Sequence, residues 1–483
     1  MKYDVVIIGS GFGGLVCASL LSREGRSVLV LERQVQPGGC IQSYQRGGFS
    51  FDTGLHYVGG LAEGQRMHRI FSTLGLMELP WQRLDANGFD LITIGGETFA
   101  LAEGYEHFVD TLSERFPEER QGLQAYIRTL QEVDAVKFGS SDAYRLFGTS
   151  AYDYLNATFH DSLLKNVISG SAMKMELRKE SLPLFSFAHG YSSFIQSSWR
   201  LKGDGNQIVR KLVADIEARG GAVVCQAEVQ ELVEQGGRIV AARCANGETY
   251  EGETFISDIH PSLTFDLVKD TPLLKRIFRK RMGMMENTYG MLTVSLVLKP
   301  ETLRYFNHNK FLYARENVWT FHEEGDGIGG MMVSARVPEE GEYVRQLDLL
   351  TPMSWTLCEQ WADTSVGRRG EDYKQLKDQL ADDCIALAET VIPGLASMVS
   401  GRYISTPLTY RDYTLTPNGS AFGVRKDWRN LVMTMLSSRT PIPNLLLTGQ
   451  NLMLAGLEGV AMTALLTCSE LLGKEYIENI LNE

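Results

Sequence analysis

The chain has no C-x-x-C pair. Its cysteines, Cys17, Cys40, Cys225, Cys244, Cys358, Cys384 and Cys468, are scattered and odd in number. That excludes a disulfide framework and a thiolate zinc site, and it points to a reducing compartment. Positive charge is also short: 47 basic against 59 acidic residues give a net −12. Nucleic acid is excluded as a partner, because affinity for a polyanion rests on clustered Lys and Arg. No apolar run reaches the length of a membrane-spanning helix. No basic leader or small-residue cleavage site precedes the apolar "DVVIIG". The expected location is cytoplasmic, soluble or at most peripheral to a membrane. No Ser-His-Asp or metal-ligand constellation stands out, and His160 and His322 are isolated.

What is present is ordinary for a globular protein: 44% hydrophobic and 22% charged residues over 483 positions. That length exceeds one hydrophobic core and suits two domains.

The first stretch, "YDVVIIGSGFGGLVCASLLSREGRSVLVLER", reads as strand, turn, helix, strand. Val5 to Ile8 form a continuous apolar run, as in a strand covered on both faces. Gly9, Gly11 and Gly14 follow in G-x-G-x-x-G spacing, with Phe12 and Gly13 between them. Gly9 permits the tight turn, Gly11 lets backbone approach a pyrophosphate, and Gly14 lets helix and strand pack closely. The helix N-terminus offers free N–H groups to phosphate oxygens. Glu32 ends the second strand, eighteen residues past Gly14, where it can accept hydrogen bonds from a ribose diol. Strand, helix, second strand and acid fall in register, so the expectation is a dinucleotide site. A second G-x-G-x-x-G, at Gly325, Gly327 and Gly330, runs into an apparent strand from Met331 to Val337 with no helix. It reads as a glycine-rich hairpin turn.

A simple NAD domain would continue into another helix. This chain gives "RQVQPGGCIQSYQRGGFSFDTG" instead, with Arg33, then Gly38 and Gly39, then Asp52-x-Gly54. The segment resembles the extended flavin motif of the flavin amine oxidase and phytoene desaturase superfamily. The resemblance implies FAD, with the Gly38-Gly39 loop along pyrophosphate and ribityl chain. It also implies backbone of Asp52, Gly54 and Leu55 beside the flavin ring, where a side chain would hold the chain away. Cys40 stands where many relatives carry Arg. It reads as a small buried residue or, alternatively, a reactive thiol.

The far end agrees. "IPNLLLTGQNLMLAGLEGVAMTALLTCSELLG" holds an apolar strand, then Gly449 and Gln450, then Glu458 and Gly459 in a glycine-rich helix start. By resemblance the strand end touches the ribityl chain. The helix N-terminus faces the flavin O2 edge, with Val460 opening the helix and Thr463 in its first turn. Val229, in a strand flanked by hairpin signals at Gly236-Gly237 and Asn246-Gly247, matches the family's backbone contact to adenine. Within the superfamily, "FDTGLHYVGG" and the C-terminal helix look most like the retinol saturase and carotenoid isomerase groups. That likeness implies a hydrophobic polyene or isoprenoid substrate and chemistry at a carbon–carbon double bond.

The expected fold is α/β: a Rossmann-like, glutathione-reductase-like FAD-binding domain with an inserted α+β substrate domain. Residues 1–69, 199–267 and 411–483 would form the first, and 70–198 and 268–410 the second. The amphipathic segment Leu273–Met282 places Leu273, Leu274, Ile277, Phe278 and Met282 on one helical face and basic residues on the rest. It is a candidate for peripheral membrane contact, or else a solvated helix packed on the core. Saturating a double bond needs a hydride and a proton. His56 and Tyr57, just past Asp-x-Gly, are the catalytic candidates. His189, Tyr191, Tyr410, Arg411 and Tyr413 are weaker candidates for the pocket. A reductase, a desaturase, a non-redox isomerase and a flavin-binding protein without turnover all remain open, and so does the oligomeric state.

Overall fold

The computed structural model describes residues 2–136, 141–269, 271–323 and 327–482. Lys2–Ile8 forms the central strand of a seven-stranded sheet. Its neighbours Val28–Leu31 and Thr249–Ser257 run parallel to it, with Val6 opposite both Leu29 and Phe255. Ala222–Val224 extends one edge, and Leu445–Leu447 pairs parallel with Thr249–Ser257. These strands are apolar because both faces are covered: Phe12–Arg23, Asn206–Ala218 and Gly456–Leu472 share one core with Val5, Ile7, Val28 and Val30, and Leu232, Ile239, Phe265 and Met282 pack with Val6, Ile8, Leu29 and Leu31 on the other. Val229–Gln235 and Arg238–Cys244 fold back antiparallel through the two glycine turns read from sequence.

A second seven-stranded sheet runs Val399–Ser405, Gly290–Leu298, Gln346–Met353, Gly330–Ala335, Asn309–Tyr313, Asp90–Ile94, Glu97–Leu101. Every residue of Gly290–Leu298 is buried, because both faces are covered. The helices between Tyr105 and Gln196 pack on one face through Ile92, Phe311, Met332 and Leu350. Gly370–Glu389 packs on the other through Ala381, Cys384 and Ala388.

Some local expectations shift. The second glycine motif does lead into a strand, Gly330–Ala335, with no helix there, while Gly325 lies outside the described residues. The C-terminal helix starts at Gly456, so Val460 lies one turn in and Thr463 in the second turn. Gly456 takes φ +78° at the helix start, a left-handed value that glycine adopts freely. The basic helix begins at Arg276, not Leu273. Its faces differ from the amphipathic reading: Leu274 and Met282 are buried, but Ile277 is 73% exposed. Arg279 turns inward instead and donates to the carbonyls of Phe265 and Val268 at 2.5 and 2.6 Å. Among the described residues no helix is long and apolar enough to cross a membrane.

Candidate active site

The strand ends of the first sheet meet one face of the second across a single cavity of about 870 Å³. That lies in the upper part of the range for small-molecule sites, about 300–1,000 Å³. At one end the wall is Gly9, Gly11, Phe12, Gly13, Glu32, Arg33, Gly39, Cys40 and Val229. Gly54, Leu55, His56, Tyr57, Gln450, Glu458, Gly459 and Val460 follow. At the other end are Met173, Lys174, Met175, His189, Phe194, Met291, Met332, Leu350 and Tyr410. Tyr413 also lines the wall. Gly14, Gly38, Asp52, Gly449 and Thr463 do not line it.

The turn after the first strand requires glycine at Gly9, with φ +93°. A Cβ on Gly14 would run into the Gly9 carbonyl, so Gly14 brings helix against strand. Gly11 has a different neighbour from the one expected. A Cβ there would stand 2.5 Å from the Asp258 carboxylate, and one on Gly13 would stand 2.6 Å from it. Asp258 follows the strand Thr249–Ser257, and its N–H donates to the Ile8 carbonyl at 2.8 Å. The glycines therefore clear space for this carboxylate at the first helix's N-terminus. Burial pushes Asp258 up to about 7, against a hydrogen bond from the Gly14 N–H that lowers it. A group so poised can be carried as a neutral acid beside an anion.

The residues fit a dinucleotide with a flavin head. The first helix has only Gly11 at its N-cap and no side-chain cap, and the C-terminal helix has only Ala455. The C-terminal helix thus offers open N–H groups and a positive dipole end to the cavity, while at the first helix the Asp258 carboxylate already takes the Gly14 N–H. Backbone approaches backbone where the ligand would run: a Cβ on Gly39 would stand 3.0 Å from Gly11 Cα, and one on Gly54 2.9 Å from the Cys40 carbonyl. Glu32 is buried at the second strand's end. It accepts from the Ser10 hydroxyl, from Ser10 N–H at 3.1 Å and from Gln34 N–H at 2.7 Å. Those bonds aim its carboxylate at the cavity.

Asp52 has a bracing role. It accepts from Gly205 N–H and Ser43 Oγ, both at 2.7 Å, and pairs with Arg336 at 2.8 Å. This locks the hairpin that delivers Gly54 and Leu55. Arg33 donates to the Asp412 carbonyl at 2.6 Å. Arg411 stacks over Trp355 instead of entering the cavity. Burial pushes the Cys40 thiol up to about 11, so it is a protonated wall residue, not a reactive thiolate. Glu458 pairs with Arg66 at 3.2 Å, with His189 Nε2 3.9 Å away.

The far wall carries a charged network. Tyr57 O–H donates to Asp90 at 2.9 Å, and Lys174 Nζ donates to Tyr57 Oη at 3.1 Å. Asn309 donates to the other Asp90 oxygen at 2.9 Å and accepts from Arg200 at 2.6 Å. Burial and Asp90 together hold the proton on Tyr57 well above the ordinary tyrosine range. Burial pushes His56 down, so it is neutral at pH 7. Burial also pushes Lys174 down to about 8, opposed by Asp90. Lys426 is pushed down to about 7 by burial, and it donates to the carbonyls of Thr434, Asn451 and Leu452.

Lys174, Asp90 and Asp258 escape a reading of the sequence. Each is a single charged residue in an unremarkable stretch, brought to the cavity by tertiary packing. The one local hint is Asp258, the acid in "FISDIHP" directly after an apolar strand.

Residues 7–74 match the NAD(P)-binding Rossmann-like domain family. The chain is 27% identical to all-trans-retinol 13,14-reductase of Danio rerio, over 97% of this chain and 86% of that protein. It is 25% identical to prolycopene isomerase, chloroplastic, of Daucus carota, over 87% of this chain and 71% of that protein. Among solved structures it is similar to putrescine oxidase bound to putrescine, with a TM-score of 0.67 at 14% identity, covering 98% of this chain and 100% of that one.

Proposed function

We propose that this FAD-dependent oxidoreductase, which resembles the flavin amine oxidase and phytoene desaturase superfamily, reduces a carbon–carbon double bond of a hydrophobic polyene or isoprenoid. One observation carries this reading. The dinucleotide cradle and a wall of Met173, Met175, Phe194, Met291, Met332 and Leu350 enclose the same cavity. A long apolar chain can lie along that wall with one bond beside the cofactor's ring. Methionines adapt to an irregular hydrocarbon.

FAD, when bound, supplies a hydride at N5. The protein positions the alkene, excludes water and provides the second hydrogen as a proton. The segment holding His56 and Tyr57 lies on the wall between cradle and apolar chamber, and we assign the proton transfer to that wall. The C-terminal helix N-terminus offers positive potential to charge on the reduced ring.

The test is anaerobic. The bound flavin is reduced with dithionite, all-trans-retinol is added, and flavin oxidation is followed while products are resolved by chromatography. The expected result is oxidation of the flavin with loss of one polyene double bond. An isomerised product with flavin still reduced would replace this reading with an isomerase. No product and no oxidation would remove the polyene from the proposal.

Access for such a substrate is proposed from a membrane surface. Ile277, Met284 and Val432 are 73%, 63% and 75% exposed. Arg281 donates to the Val432 carbonyl, which brings the basic helix and the Leu431–Thr434 helix together. Apolar tips among Lys275, Arg276 and Lys280 suit an anionic lipid surface. The protein is expected to float with phosphatidylserine vesicles, and Ile277→Glu with Val432→Glu to stay behind. Equal flotation of both would place the contact elsewhere.

A further inference from the structure

We propose that Lys174 is the proton donor for the reduced double bond, with Tyr57 and Asp90 as the residues that position it. This rests on the polyene reductase reading and identifies its acid.

Geometry separates Lys174 from the other groups on that wall. Its ammonium lies over the Phe194 ring, 3.6 Å from the centroid, and 5.2 Å from the centroids of Tyr57 and Tyr191. One N–H is spent on Tyr57 Oη at 3.1 Å. An ammonium carries three, and Lys174 lines the cavity. The aromatic faces hold the cation without accepting its protons in strong hydrogen bonds. Tyr57 cannot serve as readily, because its own O–H points to Asp90 at 2.9 Å. His56, neutral and buried, is a poor proton source.

The charged and titratable surroundings come from every neighbouring element. Tyr57 precedes the strand Val58–Gly59, Asp90 opens Asp90–Ile94, and Tyr191 comes from helix Leu184–Gln196. Arg200 of Ser198–Leu201 and Tyr313 of Asn309–Tyr313 act on the same site through Asp90. Burial lowers Lys174 to about 8 and Asp90 keeps it from falling further. An acid near the working pH gives up its proton most effectively.

The step balances. A hydride from the reduced cofactor forms a C–H bond at one alkene carbon. The π pair forms the second C–H bond with a proton from Lys174 Nζ. The N–H bond breaks, leaving a neutral amine that takes a proton from water. The alkene gains two hydrogens and two electrons, and the cofactor loses the hydride. Dithionite, or an external electron donor, restores it.

The sign with pH follows. The donor form is the ammonium, so the rate of retinol-driven flavin oxidation falls as pH rises through about 8. In Lys174→Met that rate should drop about 100-fold or more, with the alkaline fall gone. Flavin content should stay at the wild-type level. Lys174→Arg keeps the charge beside Asp90 but releases no proton, so its rate should be equally low and flat with pH. In D2O the wild-type product should carry solvent deuterium at both carbons of the reduced bond, because the dithionite-reduced cofactor also takes its transferred hydrogen from solvent. Wild-type rate and pH profile in Lys174→Met would overturn the assignment. Should that variant lose flavin, Lys174→Arg decides, and a wild-type rate in it has the same meaning. Failure of the wild type itself to reduce retinol would instead sink the polyene reading beneath it.

Discussion

Gly11→Val is expected to leave the protein almost without flavin, no more than about a tenth of the wild-type content per chain. The usual rationale for such a glycine is room for phosphate. Here a Cβ would stand 2.5 Å from Asp258 Oδ2 before any ligand arrives. The carboxylate has no alternative space, since Gly13, Gly14 and Gly449 all face it within 3.2 Å of where a Cβ would lie. The added isopropyl group must therefore push apart the first strand's turn, the Asp258 loop and the Gly449 turn together. Those three loops form the floor of the cradle. The measurement is flavin absorbance per chain after refolding with excess FAD. Gly283→Ala serves as control, because nothing lies within 4 Å of its Cβ position. Full flavin content in Gly11→Val would show that the three loops do not form the cofactor floor.

Glu176→Ala is expected to be the most destabilising single change in the substrate half, by about 3–5 kcal/mol. The Glu176 side chain is 2% exposed and pairs with Arg425 at 2.6 Å and Arg178 at 3.2 Å. It also accepts from Tyr289 N–H at 3.2 Å. Removing it strands the Arg425 guanidinium, which is 20% exposed, with only the exposed Glu286 as an acidic partner. It also frees the segment that carries Lys174, two residues earlier. Thermal unfolding of the holoprotein followed by circular dichroism should show a clear drop in midpoint. The flavin should still be bound at low temperature, since no cradle residue is touched. A midpoint within a degree or two of wild type would mean the cluster contributes nothing net.

The two ends of the chain were the legible part. Val5 to Ile8, the glycines and Glu32 form a local pattern, and local patterns need no knowledge of the rest of the fold. The same holds for Leu445–Leu447 and the apolar helix beyond it. Helix starts were less legible. Glycine weakens a helix by propensity, yet Gly456 and Gly459 lie inside one, and at Gly459 a Cβ would stand 2.6 Å from Leu454 Cβ, too close for any side chain. The basic segment reads as amphipathic from Leu273, but the tertiary partners of Arg279 rotate the helix and leave Ile277 outside. Of the charged heart of the far wall, only Tyr57 was legible in the sequence, from its place just past Asp-x-Gly. Tyr57, Asp90, Lys174, Arg200 and Asn309 lie on five separate segments of the chain, and no spacing rule connects them.

The central sheet has a consequence for how the protein is made. Phe255 pairs with Leu445, and Cys17 packs beside Ala464 and Cys468. The first strand therefore waits, during synthesis, for Thr249–Ser257, and the first helix for partners emerging more than four hundred residues later. A nascent chain held on the ribosome before Leu445–Leu447 has left the exit tunnel exposes one edge of Thr249–Ser257 and one side of the Phe12–Arg23 helix. Sequence separation of this size slows folding and leaves apolar surface open to aggregation. Cofactor capture is thus a late event, and expression yield should depend on chaperone supply more than on flavin supply.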